Sequence, residues 1–232
     1  MIENFSWFTN TDLGENSLKL HEIAQTFKNS TFVDLGVRQG SSSGLLCDKS
    51  KEHNNQIYGV DLDFTLLNKS VIDGENYSMI EGDSSTIGKN WDKGGIDILF
   101  IDTLHVKEQV LLELYFWIDH MNTNSYVVFH DSHWPEGMQE NIGGKNWERV
   151  DSAIVEFFNL KKLENKNTAY ITVECYPESW GMTFVKIKKK INFKKNIKDW
   201  NEVFQKRNEL ISNYWNSSNV GNKMIELELT ND

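Results

Sequence analysis

The sequence predicts an α/β protein built on a mostly parallel, doubly wound sheet. Five short apolar segments recur along the chain, and each is separated from the next by a stretch that suits a helix. Glycines that allow a tight turn follow the first segment, and four of the five have an aspartate at or beside their end: Asp34, Asp61, Asp102 and Asp131. Because no linker rich in proline, glycine or serine divides the 232 residues, we expect one core.

The elements begin with a lead-in helix, in which Leu20, Ile23 and Phe27 recur at helical spacing. The five apolar segments are predicted strands: Thr31–Leu35, Ile57–Asp61, Tyr77–Glu81, Ile96–Ile101 and Tyr126–His130. Between the last two, an apolar stripe from Val106 to Met121 predicts a helix that packs on the core. The alternation of strand and helix is typical of a parallel sheet.

The second half of the chain is less regular. A polar, glycine-bearing stretch from Ser132 to Lys145 is predicted to be a loop and is the best candidate for a lid, and a helix is expected from about Trp147 to Leu160. Two strands follow, Thr168–Cys175 and Gly181–Lys188, close enough in sequence to pair antiparallel. A helical period returns from Asp199 to Tyr214, for which packing or self-association is the default interpretation.

Composition limits the partners. The net charge of −10 repels phosphate backbones and anionic lipids, which argues against nucleic acid and membrane and favours a small-molecule ligand. The two cysteines, Cys47 and Cys175, lack metal-type spacing and are expected to be reduced. The N-terminus lacks a basic start followed by an apolar run, and no apolar segment approaches about 20 residues. We therefore expect a cytoplasmic protein.

The turn after the first strand predicts a site for a nucleotide-like cofactor. Gly36 and Gly40 allow positive φ and close backbone approach, and an acid ending the second strand, Asp61, can accept two ribose hydroxyls. A dinucleotide fingerprint would need glycine at positions 38 and 41, where Arg38 and Ser41 stand. NAD is therefore disfavoured.

The pattern Asp34-x-Gly36-x-x-x-Gly40-x-Ser42 resembles motif I of class I S-adenosylmethionine (SAM) methyltransferases, in the glycine-spaced form of small-molecule O-methyltransferases. The resemblance implies a Rossmann-like sheet of seven strands, mostly parallel with the last antiparallel. It places a SAM-binding domain at residues 1–190 and a helical extension, packed on the same domain, at 191–232. Asp61 would hold the ribose, Asp83 would face adenine, and Ser42 would reach the methionine carboxylate. The implied cofactor-binding set is Asp34, Gly36, Arg38, Gly40, Ser42, Asp61 and Asp83.

The segments 97–105 and 126–131 resemble the active-site strands of metal-dependent O-methyltransferases, especially those acting on sugars of macrolide antibiotics and their cephalosporin hydroxylase-like relatives. The resemblance implies that Asp102, His130 and Asp131 hold a divalent metal, Mg²⁺ or Mn²⁺. It also implies that His105 removes the hydroxyl proton. His130 stands where many relatives have Glu or Asp, and a nitrogen ligand suits Mn²⁺, Fe²⁺ or Zn²⁺ better than Mg²⁺.

These features predict a SAM-dependent O-methyltransferase acting on a hydroxyl of a small molecule, such as a sugar or a secondary metabolite. Two alternatives stay open. One is a metal-independent N- or O-methyltransferase of the same fold, and the other is a non-catalytic SAM-fold subunit that binds a partner, including a second copy, through its C-terminal helix. Each strand-end acid could instead cap the following helix, His105 could begin a helix, and His130 could be a core histidine.

Overall fold

The computed structural model describes residues 13–72, 76–135 and 138–217, the last three of these by their backbone alone. Within the described residues ten strands form, eight of them in one sheet and two in a separate hairpin. In chain order they are β1 Thr31–Leu35, β2 Gln56–Asp61, β3 Tyr77–Glu81, β4 Ile96–Ile101, β5 Met121–His130, β6 Glu140–Ile142, β7 Lys145–Trp147, β8 Lys166–Asn167, β9 Ile171–Tyr176 and β10 Met182–Ile187.

Helices cover both faces of the sheet. They are α1 Asn16–Gln25, α2 Ser41–Cys47, α3 Ser50–His53, α4 Ser84–Lys89, α5 Lys107–Trp117, α6 Val150–Phe157 and α7 Trp200–Ser217. Alternating side chains of β1 go to opposite cores, as a strand demands: Phe32 packs in a cluster with α1 and α2, whereas Val33 and Leu35 pack in a larger cluster with α5, α6 and α7. The sheet is therefore buried on both faces.

The strand order is β3-β2-β1-β4-β5-β10-β9-β8, with β1 to β5 parallel and β10 antiparallel to both of its neighbours. The predicted fold class is confirmed. The sheet has eight strands where seven were expected, because the two-residue β8 adds to the edge of β9. The order reverses between β1 and β4, and ligands of open α/β sheets bind beyond the strand ends at such a switch point.

The predicted lid is not a simple loop. It contains the β6–β7 hairpin, and Trp147, expected to begin a helix, ends β7 and is buried against Val106 and Leu210. The Lys145 ammonium also donates to Glu209 of α7 at 2.8 Å. The hairpin is therefore held by contacts with Val106, just before α5, and with α7, neither of which the local sequence reveals. The helix α6 begins only at Val150.

The C-terminal helix α7 packs on the domain core, since Val203 and Phe204 belong to the same hydrophobic cluster as Leu111 of α5. The predicted boundary at residue 190 stays a prediction, and residues 1–12 and 218–232 lie outside the described part. Across the described ranges, none of the helices combines the length and the apolar character needed to cross a bilayer.

Candidate active site

A cleft of about 380 Å³ opens at the carboxyl ends of the five parallel strands. It is lined after each strand by residues of the predicted set and by others from α5 and α7: Gly36, Arg38, Asp61, Gly82, Asp83, Ser84, Asp102, Thr103, Leu104, His105, Gln109, His130, Asp131 and Tyr214, with Val60 and Leu62. The topology thus brings together most of the acids that the sequence placed at strand ends.

The glycine turn after β1 orients Asp61. Gly36 has φ +88°, and a Cβ there would lie 2.0 Å from the carbonyl oxygen of Asp102, so the turn packs directly on the end of β4. The backbone N–H of Arg38 donates to Oδ2 of Asp61 at 2.8 Å. The other oxygen, Oδ1, accepts from the backbone N–H of Asp63 at 3.3 Å. Both oxygens are therefore held by the backbone, and the lone pairs that these bonds do not use stay available to a ligand.

Asp34 and Ser42 lie beneath this turn and do not line the main cleft. Asp34 is fully buried and accepts hydrogen bonds from the hydroxyls of Ser42, at 2.8 Å, and Ser43. Burial raises the pKa of Asp34 to about 7, although the hydrogen bonds from Ser43 and Ser42 oppose that rise. The Ser42 hydroxyl thus donates to a protein carboxylate where a ligand carboxylate was expected, and its contact with the methionine end of a cofactor stays a prediction.

Asp83 is also occupied by protein groups. Its Oδ1 accepts from the backbone N–H of Thr86 at 3.0 Å and so caps α4, while its Oδ2 accepts from the guanidinium of Arg207 on α7. Both Asp83 and Arg207 are buried, yet Asp83 still lines the cleft. Asp83 therefore both caps a helix, as strand-end acids commonly do, and lines the cleft.

The histidine cluster, as we call Asp102, His105, His130 and Asp131, occupies the β4–β5 end of the cleft. Nε2 of His105 lies 3.1 Å from Oδ1 of Asp102 and 3.1 Å from Oδ2 of Asp131. Nδ1 of His130 lies 3.2 Å from Oδ1 of Asp102 and 3.7 Å from Oδ1 of Asp131. Two carboxylates and two imidazoles therefore face one another in one corner.

The charges of the cluster shift its titration. Burial alone would raise the pKa of Asp102, but the charge of His130 and the hydrogen bond from His105 outweigh it and hold the pKa well below its usual range. Burial lowers the pKa of His105, yet its bond to Asp102 and the nearby Asp131 raise it above the ordinary value. Burial raises the pKa of Asp131 despite the two histidines. Asp102 is thus ionised and His105 is a strengthened base.

The same atoms make a donor set for a metal. One ligand atom each from Asp102, His105 and Asp131 lies within 4.8 Å of the others. Carboxylate oxygen and imidazole nitrogen are ligands of Mn²⁺, Fe²⁺ and Zn²⁺. Sequence resemblance named His130 as the nitrogen ligand and His105 as the base, whereas the geometry brings His105 equally close to both carboxylates.

Four residues in or behind the wall of the cleft were missed from the sequence: Gln109, Glu113, Arg207 and Tyr214. Gln109 and Tyr214 line the cleft, and Glu113 accepts at Oε1 from Gln109, Ser84 and Thr103. A signal existed for part of this set. Gln109 and Glu113 are polar at i, i+4 within an apolar helix, and the 24 basic residues include only three arginines, of which Arg207 is one.

The tryptophans in and just after the predicted lid, Trp134 and Trp147, have separate roles. Trp147 is buried, so its ring supports the hairpin and does not face a ligand. Trp134 stacks on Trp180 with ring centroids 4.2 Å apart, and the guanidinium of Arg149 lies 3.3 Å from the Trp134 ring centroid. His133 lines the same open cavity as Trp134, which is apart from the main cleft.

Comparisons with known proteins fit this fold. Residues 33–132 match a family model described as a methyltransferase domain. No curated protein matches the chain in sequence. A Podospora anserina methyltransferase solved with S-adenosylhomocysteine (SAH) superposes with a TM-score of 0.55 at 13% identity, covering 81% of this chain and 87% of that one.

Two further solved structures are similar. A candidate O-methyltransferase from Klebsiella pneumoniae gives a TM-score of 0.56 at 13% identity, covering 78% of this chain and 83% of its own. A TDP-rhamnose 3'-O-methyltransferase of calicheamicin biosynthesis gives 0.50 at 16% identity, covering 74% and 76%. At these identities the likeness concerns the fold. Together with the match over residues 33–132, it confirms the resemblance of this chain to the class I SAM-dependent methyltransferases.

Proposed function

We propose that this protein transfers the methyl group of SAM to a hydroxyl of a small molecule, with a divalent cation and His105 as the general base. The observation that carries the proposal is the placement of the histidine cluster in the same cleft as the glycine turn and Asp61. A cofactor site and a proton-accepting site thus share one cavity, as a direct transfer between two bound molecules requires.

The β1–β3 end of the cleft suits SAM. Asp61 ends β2 with one oxygen held by the turn, and its free lone pairs can accept the two ribose hydroxyls. The cavity volume of about 380 Å³ lies within the range of small-ligand sites, roughly 300–1,000 Å³. Gly36 and Arg38, which line the cleft beside Asp61, would lie against the cofactor.

The residues of the histidine cluster fit a divalent cation. Asp102 and Asp131 would hold it together with the imidazole of His130, which leaves His105 to take the proton. Mixed oxygen and nitrogen donors favour Mn²⁺ over Mg²⁺. A bound cation would lower the pKa of an acceptor hydroxyl and orient its oxygen. Asp131 adopts a left-handed backbone, φ +51°, which turns its carboxylate toward Asp102 and His105.

His105 is the residue that we propose takes the hydroxyl proton. Its Nε2 faces the carboxylates of Asp102 and Asp131 and carries the proton donated to them, so the accepting nitrogen is Nδ1. Its side chain is about a third exposed to the cleft, whereas His130 is buried, so only His105 presents its ring to a substrate. The paired carboxylates strengthen it as a base and fix its ring. Proton removal by a positioned base contributes about 10²–10⁴-fold to rate.

The acceptor has space beyond His105. A second cavity, of about 430 Å³, shares Thr103, Leu104, His105 and Tyr214 with the cleft and is closed on its other side by residues 140–143 of the hairpin. Its size supports a small molecule, such as a sugar or a secondary metabolite. The negative net charge supports the absence of nucleic-acid and membrane partners, and the two free cysteines support a cytoplasmic location.

A second candidate is the same reaction without a metal. The observation that favours it is that His105 already contacts two carboxylates, an arrangement that orients the imidazole and raises its pKa without a cation. Metal-free enzyme that turns over at the full rate would select this candidate.

Calorimetry with SAH tests the cofactor site. The wild type should bind, and Asp61→Ala should lose about 2–4 kcal/mol because two hydroxyls lose a charged acceptor. Asp63→Ala is the matched control, since Asp63 lies two residues further on and does not line the cleft. Unchanged affinity in Asp61→Ala would refute the ribose assignment, and tighter binding of NADH than of SAH would refute the cofactor itself.

A further inference from the structure

The C-terminal helix reaches the cofactor cleft through one buried arginine. Arg207 of α7 is fully buried, and its guanidinium donates from Nη2 to Oδ2 of Asp83 and from Nε to Oε1 of Gln109 at 3.1 Å. Both acceptors line the cleft, although one follows β3 and the other belongs to α5. A single planar group thus ties three separate parts of the chain together.

Asp83 and Gln109 are each held at both ends. Asp83 uses its other oxygen to cap α4, at 3.0 Å from the N–H of Thr86. Gln109 uses its amide nitrogen to donate to Glu113 at 2.9 Å and to Ser84 at 3.2 Å. Since these side chains, apart from that of Thr86, are buried, the wall of the cleft after β3 has one fixed pattern of donors and acceptors.

We propose that Arg207 is a positioning residue for the cofactor: it fixes Asp83 and Gln109 so that the β3 end of the cleft recognises the base of SAM, and cofactor affinity therefore depends on α7. The inference rests on the proposed function, since it assigns this end of the cleft to the base. The carboxylate of Asp83 keeps unused lone pairs, and these accept from a donor such as the exocyclic amine of adenine.

The alternative is that the pair only anchors the helix. A buried ion pair is often no more stabilising than apolar residues of the same volume, so anchoring alone does not require charge at this place. Two observations link it to the ligand instead. Asp83 and Gln109, two acceptors of Arg207, line the cleft, and Tyr214, two turns further along α7, lines it as well.

Arginine is the residue type that this geometry needs. Its planar fork presents donors in two directions at once, here to a carboxylate and to an amide oxygen on different elements. A lysine carries one compact charge and cannot hold both acceptors in the same orientation. Arg207→Lys therefore keeps the buried charge of Asp83 partnered while releasing the position of Gln109.

The test compares the binding of two probes, SAH and S-inosylhomocysteine, by calorimetry. The two differ only at the base, where hypoxanthine presents a carbonyl in place of the 6-amine and carries a proton on N1. We expect the wild type to prefer SAH, and Arg207→Lys and Arg207→Met to bind SAH about tenfold more weakly and to lose most of the preference. Lys206→Met, at the exposed neighbouring position, should match the wild type in both.

The outcomes separate the possibilities. Circular dichroism at the titration temperature restricts the comparison to folded protein. If Arg207→Met unfolds, the comparison is made with Arg207→Lys alone. A folded Arg207→Lys with unchanged SAH affinity and unchanged preference would overturn the positioning role and leave a structural anchor. A wild type that binds neither probe would overturn the proposed function itself.

Discussion

Glu113 and Asp102 are acids beside one cleft, the first fully buried and the second with 19% of its side chain exposed, yet their environments shift their pKa values in opposite directions. Burial raises the pKa of Glu113 to about 7, and the hydrogen bonds from its neutral partners Ser84, Gln109 and Thr103 oppose that rise without cancelling it. Asp102 is held below its usual range by two histidines that carry charge when protonated. Neutral partners thus permit a proton to remain, whereas titrating partners hold a negative charge in place.

The two ends of the cleft differ in the groups that balance the charge of their carboxylates. At the β3 end the protein itself supplies the counter-charge, because Arg207 is always protonated and pairs with Asp83. At the β4–β5 end the ion-pair contacts of the Asp102 and Asp131 carboxylates go to His105 and His130 among the described residues, and Asp131 also interacts electrostatically with Arg149. The first end is preorganised for a constant ligand, and the second can exchange protons or accept a cation.

Loss of the base is the largest expected effect and would break the second half of this comparison. We predict that His105→Gln lowers kcat by about 10²–10⁴-fold and leaves SAH affinity nearly unchanged. The active form is the neutral imidazole, so kcat of the wild type should rise with pH through an apparent pKa above 6.5, since the His105 pKa is raised. That rise should be absent in the variant.

His53→Gln serves as the control, because His53 ends the short helix α3 and does not line the cleft. A fall confined to the KM of the acceptor would mark His105 as a binding residue. If kcat and its pH dependence both stayed at wild-type values, the proton would have to leave by another route, and the division of the cleft into a fixed and a proton-exchanging end would fail.

Glu113 offers a sharper test of the fixed end. Its pKa is about 7 in the folded protein against an ordinary 4.5, so the folded state binds the extra proton between these values. The resulting stability is fully present below pH 4.5 and is lost as pH rises through 7, a change of about 3 kcal/mol in the free energy of unfolding. We predict that Glu113→Gln removes this part of the decline.

Denaturant unfolding between pH 5 and 8 measures it. Asp34, whose pKa is also about 7, contributes a decline of the same sign, so Glu113→Gln should reduce the slope and leave the share of Asp34. Asp34→Asn is the matched variant, expected to remove the other share. Slopes that are equal in Glu113→Gln and wild type would show that Glu113 is ionised when folded.

Sequence reasoning found the parts of the cleft that local pattern determines. Asp61 and Asp102 each follow an apolar run of strand length, and in a parallel sheet such residues must meet at one edge. Arg207 could not be found this way, since it joins Asp83 across 124 positions and lies in a helix with ordinary amphipathic spacing. The hairpin was missed for the same reason, because its stability comes from Trp147 packing against Leu210.

The roles of His105 and His130 show a second limit. The resemblance assigned them different roles, yet Nε2 of His105 and Nδ1 of His130 lie at nearly equal distances, 3.1 and 3.2 Å, from Oδ1 of Asp102. The side-chain exposure that separates them depends on how β5 is covered by its neighbours. The sequence therefore located the four residues at the strand ends, but it could not show which histidine is exposed to the cleft and which is buried.

Metal binding is the smallest expected effect and tests whether the exchanging end accepts a cation. A ligand that binds only the folded state stabilises it by RT ln(1 + [L]/Kd), so Mn²⁺ at ten times its Kd should add about 1.4 kcal/mol. For a chain of this size that is roughly 3–6 °C in Tm. We predict this shift for wild type and its loss in Asp131→Asn.

Asparagine is the matched substitution because it tolerates the left-handed backbone at this position, φ +51°, and removes only the charge. Asp119→Asn, at an exposed acid paired with Lys194 outside the cleft, should keep the full shift. An equal shift in all three proteins would place the cation elsewhere, and no shift in the wild type would leave His105 and its two carboxylates as a metal-free proton acceptor.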